Sequence, residues 1–361
     1  MTYNRKNRLC TWVKAIPIMT TKMKLFNIDL HISVIADIKD IFKRLDMGIE
    51  IVDWCISGHT WVMGKQPATV HVINQATWKN LNMEMIAEFH KKYDSFLSTF
   101  DGFIACHPNC FALLFEKYNK PILVVNSCRY DNPFCWTRDH SMVRELDACF
   151  MRLEEKKLLT FVSNNMADNH YVRLSNRYLN TQIIPSLCLY TGMNWKKDGQ
   201  TKFLMYSGEV PDHPLIAKRS SLPLGYSWQE LMKFKGIIHI PYEASTMSIF
   251  EQISSGIPLF FPTQRFLQEL WNMGQHKGMN YWGKTPSYLE MTQRDSFWIQ
   301  RADYYRLEGS YYFDSFEDLF QMLSVFVDTL APVRSKFIEE RKEFVLSAYK
   351  EIGLNFLSKK V

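Results

Sequence analysis

No apolar run in this chain approaches the ~20 residues that a membrane-spanning helix needs. The N-terminus also lacks the contiguous apolar core of an export signal. Cysteine is sparse, eight in 361 residues, and no two stand in a Cys-x-x-Cys spacing. All eight lie between Cys10 and Cys188, with Cys106 and Cys110 the closest. A secreted disulfide framework would not be confined to one half of a large chain, so reduced, mostly buried thiols in a cytoplasmic protein are expected. His107 beside Cys106 and Cys110 lacks a fourth ligand at a recognised spacing, so no metal site is expected. Zinc-finger spacing, a basic helix with a zipper and an RNP signature are all missing, which argues against a nucleic-acid partner. Internal repeats and low-complexity tracts are absent too.

What is present is apolar and aromatic. Hydrophobic residues make up 47% and aromatics 14%, a composition that builds packed cores and not disorder. The length suits two domains of about 150–180 residues each. The net charge of +6 is mild. Basic residues gather at the N-terminus (Arg5, Lys6, Arg8, Lys14, Lys22, Lys24) and in the last helix. A solvated basic surface is the expectation, with peripheral membrane contact left open.

Strand and helix patterns alternate along the chain. Leu25 to Leu30 reads as a strand, followed by a helix that Ser33 can cap, with Val34, Ile38, Ile41, Phe42 and Leu45 on its apolar face. Further strands are expected at Glu50–Ile56, Thr69–Ile73, Gly102–Cys106, Pro121–Asn126, Leu158–Ser163 and Thr181–Ile184. Helices are expected at Met83–Phe100, Asn109–Tyr118 and Ser141–Lys157 and around Tyr171 to Tyr178. Such alternation predicts doubly wound parallel sheets. The pattern breaks near Leu189–Gln200, resumes at Lys202–Ser207 and turns wholly helical from Phe316, with Pro332 between two helical pieces. The expected organisation is a basic tail over 1–23, a first domain over 24–190, a linker over 191–200, a second domain over 201–330 and a closing helix over 331–361.

The most informative segment runs from Tyr242-Glu243-Ala244-Ser245-Thr246-Met247 to Glu251, then Ser255-Gly256-Ile257-Pro258. An apolar stretch, Gly236 to Ile240, precedes it and another, Ile257 to Phe261, follows, so the order is strand, turn, helix, strand. Ser245 or Thr246 can cap the helix, while Met247, Ile249, Phe250 and Ile253 form its buried side. A helix start of this kind offers N–H groups and a positive dipole end, which suits a phosphate.

This segment resembles the Glu-x7-Glu donor motif of retaining glycosyltransferases of the GT-B fold, the family-4-like enzymes also called glycosyl transferases group 1. The resemblance implies two Rossmann-like domains and a last helix that crosses back to the first. It also implies Glu243 at the hydroxyls of the donor sugar, Glu251 on the ribose, and the Ser245–Met247 turn under the diphosphate. The family commonly carries Gly-Phe-Gly after the first Glu, where this chain has Ala244-Ser245-Thr246. The family also implies an Arg and a Lys on the diphosphate, and Lys218 and Arg219 lie in the matching region. No Asp-x-Asp motif stands at a strand end, which fits side-chain cations in place of a metal.

Ligands of open α/β sheets bind outside the carboxyl ends of strands. That rule selects His31, His59, His107, Arg129 and Asp131 in the first half, and Gly208 for close approach in the second. Each histidine alone is an ordinary structural residue; as a group they form a candidate acceptor pocket. An inverting transferase would need a base, from His31, His59 or Asp131, whereas a retaining one would not. The expected activity is transfer of a sugar, with retention, from a nucleotide-diphosphate sugar to a glycan, lipid or protein hydroxyl. It needs no cofactor beyond that co-substrate. A nucleotide-sugar epimerase and a non-catalytic glycan-binding scaffold are the alternatives.

Overall fold

The computed structural model describes residues 22–176, 178–275 and 298–359. The basic tail, with Cys10, lies outside them except for Lys22 and Met23. The first sheet holds β1 (Met23–Asp29), β2 (Ile49–Cys55), β3 (Gly102–Ala105), β4 (Ile122–Asn126), β5 (Leu159–Ser163) and β6 (Thr181–Ile183). Their order is β2-β1-β3-β4-β5-β6, and every neighbouring pair is parallel. The second sheet holds β7 (Phe203–Ser207), β8 (Ile216–Lys218), β9 (Ile237–His239), β10 (Leu259–Pro262) and β11 (Tyr311–Phe313). It is ordered β11-β10-β9-β7-β8, again wholly parallel. The chain therefore forms two doubly wound parallel-sheet α/β domains.

Parallel strands covered on both faces need apolar residues on both, and β4 shows it: Ile122, Leu123, Val124 and Val125 are all buried. Ile122 and Val124 enter one core and Leu123 and Val125 the other, the period-two alternation of a strand. On one side lie helices α1 (Ile32–Leu45) and, from the far end of the chain, the last helix. On the other lie α2 (Met83–Leu97) and α4 (His140–Glu155), with the short α3 (Phe134–Thr137) before α4 and α5 (Met166–Ser175) after it. The second domain adds α6 (Trp228–Leu231), α7 (Met247–Ser255), α8 (Gln264–Asn272) and α9 (Phe316–Ser324).

The last helix, α10 (Ala331–Ser358), ties the domains together, with Pro332 in its first turn, where a missing N–H costs nothing. Its buried residues, Arg334, Arg341, Val345, Tyr349, Ile352, Gly353 and Phe356, follow one helical stripe. At the second-domain end Arg334 pairs with Asp328 and donates to the carbonyls of Gly256 (2.8 Å) and Gly309 (2.9 Å). In the middle Arg341 donates to the Ser186 carbonyl and lies 4.8 Å over the Phe250 ring. At the first-domain end Tyr349 meets Phe42 of α1 edge-on at 5.8 Å. One stripe thus turns from cationic to apolar as the helix crosses back.

Three local expectations are corrected. Thr69–Ile73 is not a strand: Val70 and Ile73 are buried, but Val72 has φ +62°, which no strand residue adopts, and β1 already has β2 and β3 as neighbours. Asn109–Tyr118 forms two 3-10 segments, Asn109–Leu114 and Glu116–Tyr118, in place of an α-helix. All six residues of the first are buried, so packing and not amphipathic periodicity sets its course. Ser33 is not the cap of α1: His31 holds that position without a capping side chain, and Ser33 lies inside the helix. Among the described residues no helix is long and apolar enough to cross a membrane.

Candidate functional site

The strand order of each sheet reverses beside its first strand, between β1 and β3 in one and between β7 and β9 in the other. Crevices open at such points, outside the carboxyl ends of the strands. Here the two crevices share one cavity of about 330 Å3. The first domain lines it with His31, Ser33, Ser57, His59 and Trp61; the second contributes Tyr206, Arg219, Trp228, Thr246 and Glu251, among others. Of the residues singled out in the sequence, His31, His59, Arg219, Thr246, Met247 and Glu251 come together here.

His31 follows β1. Its N–H donates to Asp29 Oδ1 (2.8 Å), which also accepts from Cys55 Sγ (3.1 Å), while Asn27 donates to Asp29 Oδ2 (2.7 Å). Burial pushes Asp29 up to about 7 against those three hydrogen bonds. Burial, and then the charge of nearby His59, hold His31 down at about 4, so its imidazole is neutral at pH 7. Behind it stands His107, edge-on at 5.2 Å, with Nδ1 3.2 Å from Ser127 Oγ. His107 is pushed down to about 3, mainly by burial, and does not line the cavity. His59 is exposed in its loop, where its N–H donates to Ser57 Oγ (3.1 Å).

Helix α7 starts at the cavity. Thr246 occupies the cap position but its hydroxyl shares a hydrogen bond with that of Ser248 (3.1 Å), and it makes no capping bond to the N–H groups of the first turn. Glu251, one turn on, is 8% exposed. It accepts from the Tyr190 hydroxyl, with the side chains of Ser33 and Trp228 close by. Burial raises its carboxyl above the usual range despite these polar neighbours. Arg219 lies 4.5 Å over the Tyr206 ring and 5.8 Å from Tyr226, a stacked cation at the cavity wall. Beneath, His239 bridges Ser207 Oγ (2.9 Å) and Gln252 Oε1 (2.6 Å) and braces β7, β9 and α7 together.

Other selected residues stand elsewhere. Lys218 is exposed, paired with Asp212 at 2.6 Å, on a separate groove. Gly208 has φ +84°, and a Cβ there would meet Ile240 Cβ at 2.4 Å, so it serves the packing of β7 on the strand beside it. Ser245 lies near Asp303, whose carboxyl burial raises to about 7. Glu243 is half-buried beside Tyr242 and does not line this cavity. Arg129 and Asp131 form a buried pair, two contacts of 3.2 Å, closed by the Tyr171 hydroxyl, which lies 2.5 Å from Arg129 Nη2 and 2.9 Å from Asp131 Oδ2. Neither reaches the cavity. Sequence reasoning missed Asp29, Tyr190 and Trp61. Asp29 ends β1 two residues before His31, a polar residue where the apolar run stops, and that signal was readable. Tyr190 and Trp61 are aromatics in irregular segments and carried none. Among the described residues no group of three His, Cys, Asp or Glu is placed to hold a metal ion, and the seven described cysteines form no disulfide.

No family model matches the chain, and no curated protein matches it. Solved structures do. The glycotransferase of kitacinnamycin aligns with 92% of this chain and 99% of its own at 11% identity, with a TM-score of 0.46. The glycosyltransferase SnogD from Streptomyces nogalater aligns with 92% of this chain and 100% of its own at 10% identity, TM-score 0.46. The spinosyn forosaminyltransferase SpnP aligns over the same shares at 10% identity, TM-score 0.45. At such identities no residue role passes from one chain to another.

Proposed function

We propose that the protein is a cytoplasmic glycosyltransferase that moves a sugar from a nucleotide-diphosphate donor to an acceptor hydroxyl. The observation that carries this reading is the meeting of His31 from the first domain and Glu251 from the second in one cavity. The open start of α7 and Arg219 suit the diphosphate, whose charge grows as the glycosidic bond breaks. Glu251 suits the ribose hydroxyls. The acceptor, a glycan, lipid or protein hydroxyl, enters past Trp61 and Tyr242, both more than half exposed, towards His31 and His59. No metal or other cofactor is proposed.

The histidines at the cavity favour base-assisted displacement, in which a neutral imidazole takes the acceptor proton and the sugar inverts. Retention with Glu243 at the donor sugar is the second reading, supported by its neighbour Tyr242, which lines the same cavity.

The test is a thermal-shift screen against UDP, GDP, ADP and CMP. One nucleoside diphosphate at 100 times its Kd should add about 2.7 kcal/mol of stability. Glu251→Gln should then weaken it about 10–100-fold, the range of one or more hydrogen bonds to a charged group. A flat response from folded protein across the panel would overturn the reading. Within the same screen Lys218→Ala should change affinity less than about twofold, since an exposed pair contributes little. Arg219→Ala should weaken it about tenfold or more, the scale of a charge-assisted hydrogen bond. Equal losses in both would put the diphosphate nearer Lys218.

A further inference from the structure

Glu251 stands where three parts of the chain meet. Ser33 belongs to the first turn of α1 in the first domain, Tyr190 to the 3-10 turn Leu189–Thr191 between the sheets, and Trp228 to α6 in the second domain. The Tyr190 hydroxyl donates to the Glu251 carboxylate, and the side chains of Ser33 and Trp228 stand close by. The connecting segment is itself fixed on both sides. Asp37 of α1 accepts the N–H groups of Leu187 (2.8 Å) and Cys188 (2.5 Å), and Ser254 of α7 donates to the Leu187 carbonyl (2.6 Å). The Tyr190 ring meets Trp228 at 5.6 Å and 69°, so its hydroxyl is aimed by packing. Tyr190 does not line the cavity, whereas Glu251, Ser33 and Trp228 do.

A carboxylate offers roughly four acceptor positions. The Tyr190 hydroxyl fills one, which leaves the others for ligand hydroxyls. Moving the first domain away pulls the connecting segment with it through Asp37, takes Tyr190 along and lets the carboxylate turn.

We propose that Tyr190 is a positioning residue that aims Glu251 into the cavity, and that this shared carboxylate couples ligand binding to closure of the first domain on the second. The ligand part rests on the nucleotide reading above; the closure part does not. Tyr190 acts through Glu251 and touches no ligand.

The test is a double-mutant cycle with Tyr190→Phe, which keeps the ring on Trp228, and Glu251→Gln, titrated with UDP and GDP and followed by hydrogen exchange at the amides of Leu187 to Gly192. Tyr190→Phe should weaken the binding nucleotide about tenfold, and the double variant should bind no worse than Glu251→Gln alone. Nucleotide should protect the connecting segment from exchange in the native protein and not in Tyr190→Phe. Unchanged affinity in folded Tyr190→Phe, or losses that simply add, would overturn the positioning role. If neither nucleotide binds the native protein, the proposed function fails and exchange alone decides. Faster exchange to a similar degree in both single variants then sustains the closure coupling; no change in either overturns it.

Discussion

Asp131→Ala should destabilise the protein by about 3–5 kcal/mol, the usual result of stranding one partner of a buried ion pair. Arg129 is fully buried and Asp131 is 5% exposed. Asp131 accepts two hydrogen bonds from Arg129, so removing it takes the countercharge from a guanidinium that lies in a dry site beside the Tyr171 ring and hydroxyl. Replacing both at once, Arg129→Met with Asp131→Leu, should recover most of that loss, because the desolvation cost of the pair goes with its attraction. Urea unfolding of the single and double variants checks this. A double variant as unstable as Asp131→Ala, or a single one within about 1 kcal/mol of the native protein, would show that the two side chains do not behave as a buried ion pair. Nucleotide affinity in the surviving folded fraction should stay unchanged, since the pair lies outside the cavity.

This pair also shows where sequence reading fails. The strand-end rule selected His31, His59, His107, Arg129 and Asp131 on the same ground, and only the first two line the cavity. Position after a strand fixes which edge of the sheet a residue occupies. It does not fix whether the side chain turns outward to the cleft or inward under the next helix, and Tyr171 on α5 draws Arg129 inward. Alternating apolar runs made the parallel sheets readable, because each strand must bury two faces. The same signal misled at Thr69–Ile73, where apolar residues fill the core from an irregular backbone.

Glu251 was legible from its spacing to Glu243, but its surroundings were not. Its donor is Tyr190 and its polar neighbours include Ser33 and Trp228, and no local pattern links positions so far apart. The adjacent Lys218 and Arg219 looked equivalent in the sequence. The end of β8 separates them, and the stack of Arg219 on Tyr206 against the pairing of Lys218 with Asp212 gives them different surroundings.

His31→Gln should lower turnover about 10²- to 10⁴-fold, the usual contribution of a general base, while nucleotide affinity changes less than about twofold. Asp29 pins the His31 backbone, burial and His59 keep the ring neutral, and the ring lines the cavity opposite the start of α7. The active form is the neutral imidazole. Activity should therefore hold as pH falls below 6.5, where an unshifted histidine would already be protonated, and fall only as pH passes about 4. His59→Gln supplies the second arm. It removes a positive charge that holds His31 down, so the acid limb should move to higher pH while turnover at pH 7 falls far less than in His31→Gln. The pH profile of kcat/KM for the native protein and both variants reads all of this. Turnover within about twofold of native in His31→Gln, well short of a general base's contribution, would assign the acceptor proton to another group. So would an acid limb that does not move in His59→Gln.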